Sequence, residues 1–174
     1  MAQFADTLDL ATLDLRPGDG RSIDLRVRVQ PVTLAGERYE VEHGAVEARV
    51  DLSRMVSGYA LRLRFEARLL GTCTRCLDDA HPTIAVDARE VDQPGEEEDL
   101  HSPYMTSGQL DLTAWARDAF ALALPTRLLC RDDCQGLCAV CGVNLNEVDA
   151  AEHHHDSGGD PRWGKLREWR APPS

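Results

Sequence analysis

Aromatic residues make up only 5% of this 174-residue chain, so its core must rest on Leu, Val and Ala. No apolar run approaches the roughly 20 residues that a bilayer-spanning helix needs; Ala119 to Pro125 is among the longest. The opening Met-Ala-Gln-Phe-Ala-Asp has neither a basic stretch nor an apolar stretch of secretory type, so the expected location is cytoplasmic. Basic residues are in deficit: 19 Lys and Arg against 30 Asp and Glu give a net charge of −11, which excludes a protein that coats nucleic acid with its whole surface. P-loop, GxGxxG, nucleophile-elbow, HExxH and deaminase signatures are all missing. What remains is globular in composition, at 43% hydrophobic and 28% charged.

Alternation of apolar and polar residues marks three strands. The first carries Ile23, Leu25, Val27 and Val29, and Pro31 ends it. The second carries Val46, Ala48, Val50 and Leu52. The third is the clearest, with Tyr59, Leu61, Leu63, Phe65, Ala67 and Leu69 on one face and Arg62, Arg64, Glu66 and Arg68 on the other. That charged face reads as a solvated sheet surface or, more sharply, as a basic contact face. A returning strand from Thr83 to Val91 makes an antiparallel pair whose connecting turn holds Cys73 and Cys76. The first residues, around Leu8 and Leu13, read as a short strand or docked arm. Residues 92–109 read as a loop that includes the acidic run Glu96-Glu97-Glu98-Asp99. Asp111 is placed to cap a helix running to Leu124, closed by Pro125, with Trp115 and Phe120 in its core stripe.

Six cysteines in a reducing compartment point to metal or redox work rather than to disulfides. Cys73-x-x-Cys76 and Cys138-x-x-Cys141 are spaced so that each turn presents two thiolates to one tetrahedral ion, and Gly142 just after the second pair frees a backbone N–H to approach sulfur. Cys130 and Cys134 add two more thiols. Two partitions are open. Either Cys73, Cys76, Cys130 and Cys134 hold one ion while Cys138 and Cys141 join two of His153, His154 and His155 around another, with His153 and His155 the expected pair; or the two CxxC pairs share one ion and Cys130 and Cys134 stay free. Zn2+ is the expected ion, and closed cysteine-rich coordination favours a structural role over catalysis. A zinc-dependent hydrolase or nuclease, and a thiol redox sensor, are the competing classes. The tail interleaves Arg162, Lys165, Arg167 and Arg170 with Trp163 and Trp169. Arg and Lys beside aromatics suit phosphates and unstacked bases, so Arg162, Trp163, Lys165 and Arg167 are the candidate nucleic-acid contacts.

Four segments in this order resemble the YceD family of large ribosomal RNA subunit accumulation proteins. They are Cys73-Thr74-Arg75-Cys76-Leu77 after an amphipathic strand, the helix opened by Leu110-Asp111-Leu112 and ending in Ala121-Leu122-Ala123-Leu124-Pro125, the run from Cys130 to Asn146, and Asp160-Pro161-Arg162 followed by Leu166. The likeness covers roughly residues 60 to 170. It implies a bacterial or plastid protein that supports accumulation of large-subunit ribosomal RNA, with that RNA or its precursor, or a basic large-subunit ribosomal protein, as partner. Some members keep the CxxC and ligand-type residues at the positions of Cys130 and Cys134 while lacking the later pair, which favours the first partition. Many members carry Cys-x-Cys shortly after the Asn-Leu-Asn segment; this chain has Glu152-His153-His154-His155 there instead.

The expected protein is therefore an α+β, non-enzymatic factor: an antiparallel β-sheet with one main helix at 111–124 in a body of residues 1–127, and a Cys-rich, zinc-stapled segment with a basic and aromatic tail at 128–174, packed as one domain.

Overall fold

The structure is a computed structural model and describes residues 3–93, 100–149 and 153–155. The chain forms β1 (Gln3–Phe4), β2 (Thr7–Asp9), β3 (Gly20–Arg28), β4 (Val32–Leu34), β5 (Glu37–Val41), β6 (Ala45–Met55), β7 (Gly58–Thr72), β8 (Asp79–Ala80), β9 (Thr83–Asp92), β10 (Met105–Thr106), β11 (Gln109–Asp111) and α1 (Leu112–Ala123). The long period-two segments become the long strands β3, β6, β7 and β9, because one apolar face must be buried and only a strand presents alternate residues to one side.

β7 is the spine of the sheet. It pairs antiparallel with β6 from Gly58 to Phe65 and with β9 from Tyr59 to Arg68, and its far end pairs with β5 and β8. β3 lies outside β6. The main sheet is antiparallel, as expected, except at its edge, where β1 runs parallel to β3, pairing Gln3 with Leu25 and Phe4 with Arg26. Residues 5–19 carry the chain back to the start of β3 in place of a tight hairpin, so the two strands run in the same sense. Residues 92–109 are also more than a loop: β10 and β11 form a small antiparallel hairpin there, completed by β2 in a second sheet.

One face of the main sheet supplies Leu25, Val27, Val46, Ala48, Val50, Leu52, Leu61, Leu63, Phe65, Ala67, Leu69 and Val86 to the core. Helix α1 covers it with Leu112, Trp115, Ala116, Ala119 and Phe120. Trp115 and Phe120 are 1% and 0% exposed and have the core role their spacing predicts, each contributing about 1.5–3 kcal/mol by burial. Asp111 caps the helix as expected, its carboxylate accepting from the Ala114 N–H at 2.9 Å.

The opposite face is solvated and laced with ion pairs, most of them between neighbouring elements. Arg62 makes a two-pronged contact with Asp87 (2.8 and 2.5 Å), Arg64 reaches Asp51 (2.5 Å), Arg49 shares Asp51 (3.5 Å), and Arg68 approaches Glu42 (3.8 Å). The arginines that suggested a basic contact face are thus spent on neighbouring carboxylates, which leaves the solvated reading of that surface. No helix among the described residues is long and apolar enough to cross a membrane.

Candidate metal centres

The Cys73–Cys76 turn leaves the end of β7 and folds back on itself. The Cys73 N–H donates to the Asp78 carbonyl (2.7 Å) and the Leu77 N–H to the Cys73 carbonyl (3.0 Å), with Leu77 in the left-handed region at φ +66°. The chain after α1 docks on this turn. Thr74 donates its N–H (2.8 Å) and its hydroxyl (3.2 Å) to the Leu128 carbonyl. The Leu137 N–H donates to the Arg75 carbonyl (3.1 Å), and the Arg75 guanidinium donates to the Cys134 carbonyl (2.5 Å). Gly136, at φ +80°, lies so near that a Cβ there would stand 3.1 Å from the Arg75 carbonyl oxygen. Leu128 packs against Gly71, where an added Cβ would meet its Cδ2 at 2.4 Å.

These contacts gather four sulfurs. Cys73 and Cys134 lie 3.7 Å apart and Cys76 and Cys130 3.5 Å apart, and all four ligand atoms fall within 4.8 Å of one another. Sulfurs at the corners of a tetrahedron around Zn2+, with Zn–S near 2.3 Å, stand about 3.8 Å apart. Cys73, Cys76 and Cys134 are buried, at 0%, 3% and 1% exposure. Massed so closely, the thiols act on one another's ionisation. Burial opposes ionisation of Cys73, but N–H groups of Cys76, Arg75 and Cys130 outweigh it and draw its thiol down to about 6. The Asn146 side-chain amide, against burial, holds Cys134 below its usual value. The Asp78 N–H favours the Cys76 thiolate, yet burial and the sulfurs of Cys73 and Cys130 push that thiol up. Burial, with Cys134 and Cys73, pushes Cys130 up as well. Four negative charges do not share so small a space in water alone; a divalent cation removes the conflict.

A second cluster forms where residues 138–143 turn back on themselves. The Cys138 N–H donates to the Val143 carbonyl (2.8 Å) and Leu137 bridges Asn144. The ligand atoms of Cys138, Cys141, His153 and His155 lie within 4.8 Å of one another. Cys141 Sγ stands 3.7 Å from His153 Nε2 and 3.2 Å from His155 Nε2, and the two ring nitrogens are 3.0 Å apart. The His153 side chain, with the N–H groups of Cys141 and Val140, draws the Cys138 thiol down to about 6. Gly142 has a different part from the one expected of it. At φ +75° its N–H donates to the Cys138 carbonyl (2.9 Å), and the N–H that meets the Cys138 sulfur, at 3.4 Å, belongs to Val140.

The grouping is that of the first partition: Cys73, Cys76, Cys130 and Cys134 together, and Cys138 and Cys141 with His153 and His155. Both groups have the chemistry to hold a metal ion. His154 stays out of the second cluster and faces solvent. Two supporting residues carry no spacing signal. Asn146 donates to Cys134 Sγ (3.4 Å) and accepts from the Gln135 N–H (2.8 Å) and the Arg131 guanidinium (3.0 Å), while Asn144 donates to Asp78 (2.7 Å). Only the Asn-Leu-Asn marker hinted at them. The candidate nucleic-acid contacts Arg162, Trp163, Lys165 and Arg167, and the acidic run 96–99, lie outside the described residues.

Comparison with known proteins adds the family. An uncharacterized protein of Mycobacterium tuberculosis is 30% identical over 177 residues, covering 97% of this chain and 83% of the relative. An uncharacterized protein of Mycobacterium leprae is 34% identical over 113 residues, covering 61% of this chain and 50% of the relative. The chloroplastic large ribosomal RNA subunit accumulation protein YCED homolog 1 of Arabidopsis thaliana is 34% identical over 74 residues, covering 41% of this chain and 22% of that protein. No solved structure matches. Residues 61–169 match the large ribosomal RNA subunit accumulation protein YceD, a stretch that takes in every residue of both clusters, and the chain belongs to the YceD family.

Proposed function

We propose that this chain is a non-enzymatic ribosome-biogenesis factor, working in the cytoplasm, that promotes accumulation and processing of large-subunit ribosomal RNA. The observation that carries the reading is the family match over residues 61–169. The chemistry of the clusters supports the non-enzymatic part, because each offers four protein ligands and a tetrahedral ion so held keeps no open position for a reacting water.

In this reading Cys73, Cys76, Cys130 and Cys134 hold one Zn2+, and Cys138, Cys141, His153 and His155 hold a second. The ions supply cross-linking: the first fastens the segment after α1 to the end of β7 and makes one domain of the body and the cysteine-rich segment, and the second ties residues 153–155 to the 138–141 turn. The tail that follows presents Arg162, Trp163, Lys165 and Arg167 to the RNA, a local basic patch on a chain of net charge −11. Depletion of the protein, with precursor and mature large-subunit RNA quantified, tests the reading. Reduced mature RNA is the expected result, and unchanged RNA levels with unchanged subunit profiles would overturn it.

A further inference from the structure

β9 is an edge. The Leu69 N–H donates to the Pro82 carbonyl (2.9 Å), and the register carries this ladder on through Ala67–Ile84, Phe65–Val86 and Leu63–Ala88. By the alternation of an antiparallel ladder, the even-numbered residues of β9 turn their backbone groups toward β7, and Thr83, Ala85, Asp87, Arg89 and Val91 turn theirs outward. Among the described residues, no other strand pairs with that outer row. Ten residues form a long edge to leave bare, and edges of this kind accept a further strand.

The edge borders a groove. β9 and α1 part to leave a cleft of about 460 Å³ whose floor includes Val86, Ala88, Trp115 and Ala119. Leu122 stands at its lip, 90% exposed. At one end, behind Tyr104, Asp118 accepts from the phenol hydroxyl (3.2 Å) and is already paired with its neighbour Arg117 (2.8 Å), while Arg89 of the lining belongs to the other face of β9. Glu90 lines the same end, half-buried, and no cation pairs with it among the described residues. Asp87, on the other face, is already bound by Arg62 and does not guard the edge.

We propose that the outer edge of β9 and the groove beside it dock an extended basic segment of a partner protein. The segment adds as a strand on β9, sets alternate apolar side chains against Val86 and Trp115, and places a lysine or arginine on that same face beside Glu90. Charge selects this occupant. A second copy of the chain would bring −11 against −11, with its own Glu90 in the joint, and the same carboxylate repels RNA phosphates. The inference goes beyond the ribosomal role and is tested without RNA.

The probe is a short synthetic peptide, Thr-Val-Thr-Val-Thr-Lys-Thr, whose valines and lysine share one face of a strand as Val86 and Glu90 do on β9, titrated into the isotope-labelled full chain. Shifts of the amides of residues 83–91 and of the α1 residues facing the groove, with slowed hydrogen exchange at Ala85, Asp87 and Arg89, are expected. Ala85→Pro removes an outward N–H and leaves the β7 ladder intact; it weakens binding about tenfold or more. Glu90→Gln weakens it several-fold and flattens its salt dependence. Should Ala85→Pro fail to fold, the same peptide N-methylated on its β9-facing residues, tested on the unaltered chain, gives the decision, and about tenfold weaker binding is expected. The proposal is overturned by absence of binding, by equal binding of folded Ala85→Pro or of the N-methylated peptide, by shifts confined to other acidic surfaces, or by a β9-dependent dimer in place of the peptide complex.

Discussion

Asn146 reaches the sulfur of Cys134 with one end of its amide and takes the Gln135 N–H and the Arg131 guanidinium with the other. One side chain thereby tunes a ligand and fixes the loop that carries it, as outer residues of metal sites do. Asn146→Ala is expected to cost about 1–2 kcal/mol and to weaken metal retention, read by thermal melting and by competition with a chelator. Cys73→Ser acts more severely. It removes a ligand from a buried group of sulfurs, so the first ion is released and the fold loses several kcal/mol, on the order of what one structural zinc contributes. Stoichiometric metal at full stability in that variant would remove Cys73 from the ligand set. Residue spacing reveals which cysteines are ligand-like, because a CxxC turn is a local object. Which four converge depends on where Leu128, Arg75 and Gly136 bring two distant segments together, and such tertiary contacts leave no periodic trace.

At the scale of elements, β6, β7, β9 and α1 were legible because each is long enough to repeat its period several times. β4, β5, β8, β10 and β11 span two to five residues and show no period that separates them from loops. The parallel β1–β3 pair is non-local and equally silent. The β6–β7 hairpin depends on Gly58, which sits at φ +146° with the Asp92 carbonyl oxygen 2.0 Å from where a Cβ would be. Gly58→Ala therefore forces the backbones of β7 and β9 apart at their shared end. A loss of about 1–3 kcal/mol in denaturant unfolding is expected, with fast hydrogen exchange at Tyr59 and Asp92, which face each other across the two strands. The ion pairs on the outer face give a sign for pH. Arg62 holds the Asp87 carboxyl below its ordinary 3.8, so the pair contributes stability above that pH and loses it as pH falls through the lower folded value. The wild type should melt above Asp87→Asn at neutral pH, and the gap should close in acid.

Across the whole molecule, a mostly antiparallel body and a short helix leave residues 128–149 and 153–155 with little regular structure of their own; among the described residues α1 is followed by turns and by one isolated bridge, Leu137–Asn144. Polar contacts and the first ligand cluster hold that segment to the end of β7, while the second cluster gathers residues of the segment alone. The clusters differ in shelter, since Cys73, Cys76 and Cys134 are buried while Cys141 and His155 are exposed. A chelator should accordingly strip the second cluster first and leave most of the fold, then unfold the chain when the first is emptied.

Elemental analysis of the purified chain beside His153→Ala/His155→Ala and Cys73→Ser tests the arrangement most directly. The account predicts two zinc ions per chain, one in the histidine variant with the fold retained, and loss of the other in Cys73→Ser with destabilisation. A single ion that the histidine variant keeps in full, or a folded chain that binds no metal, would contradict it.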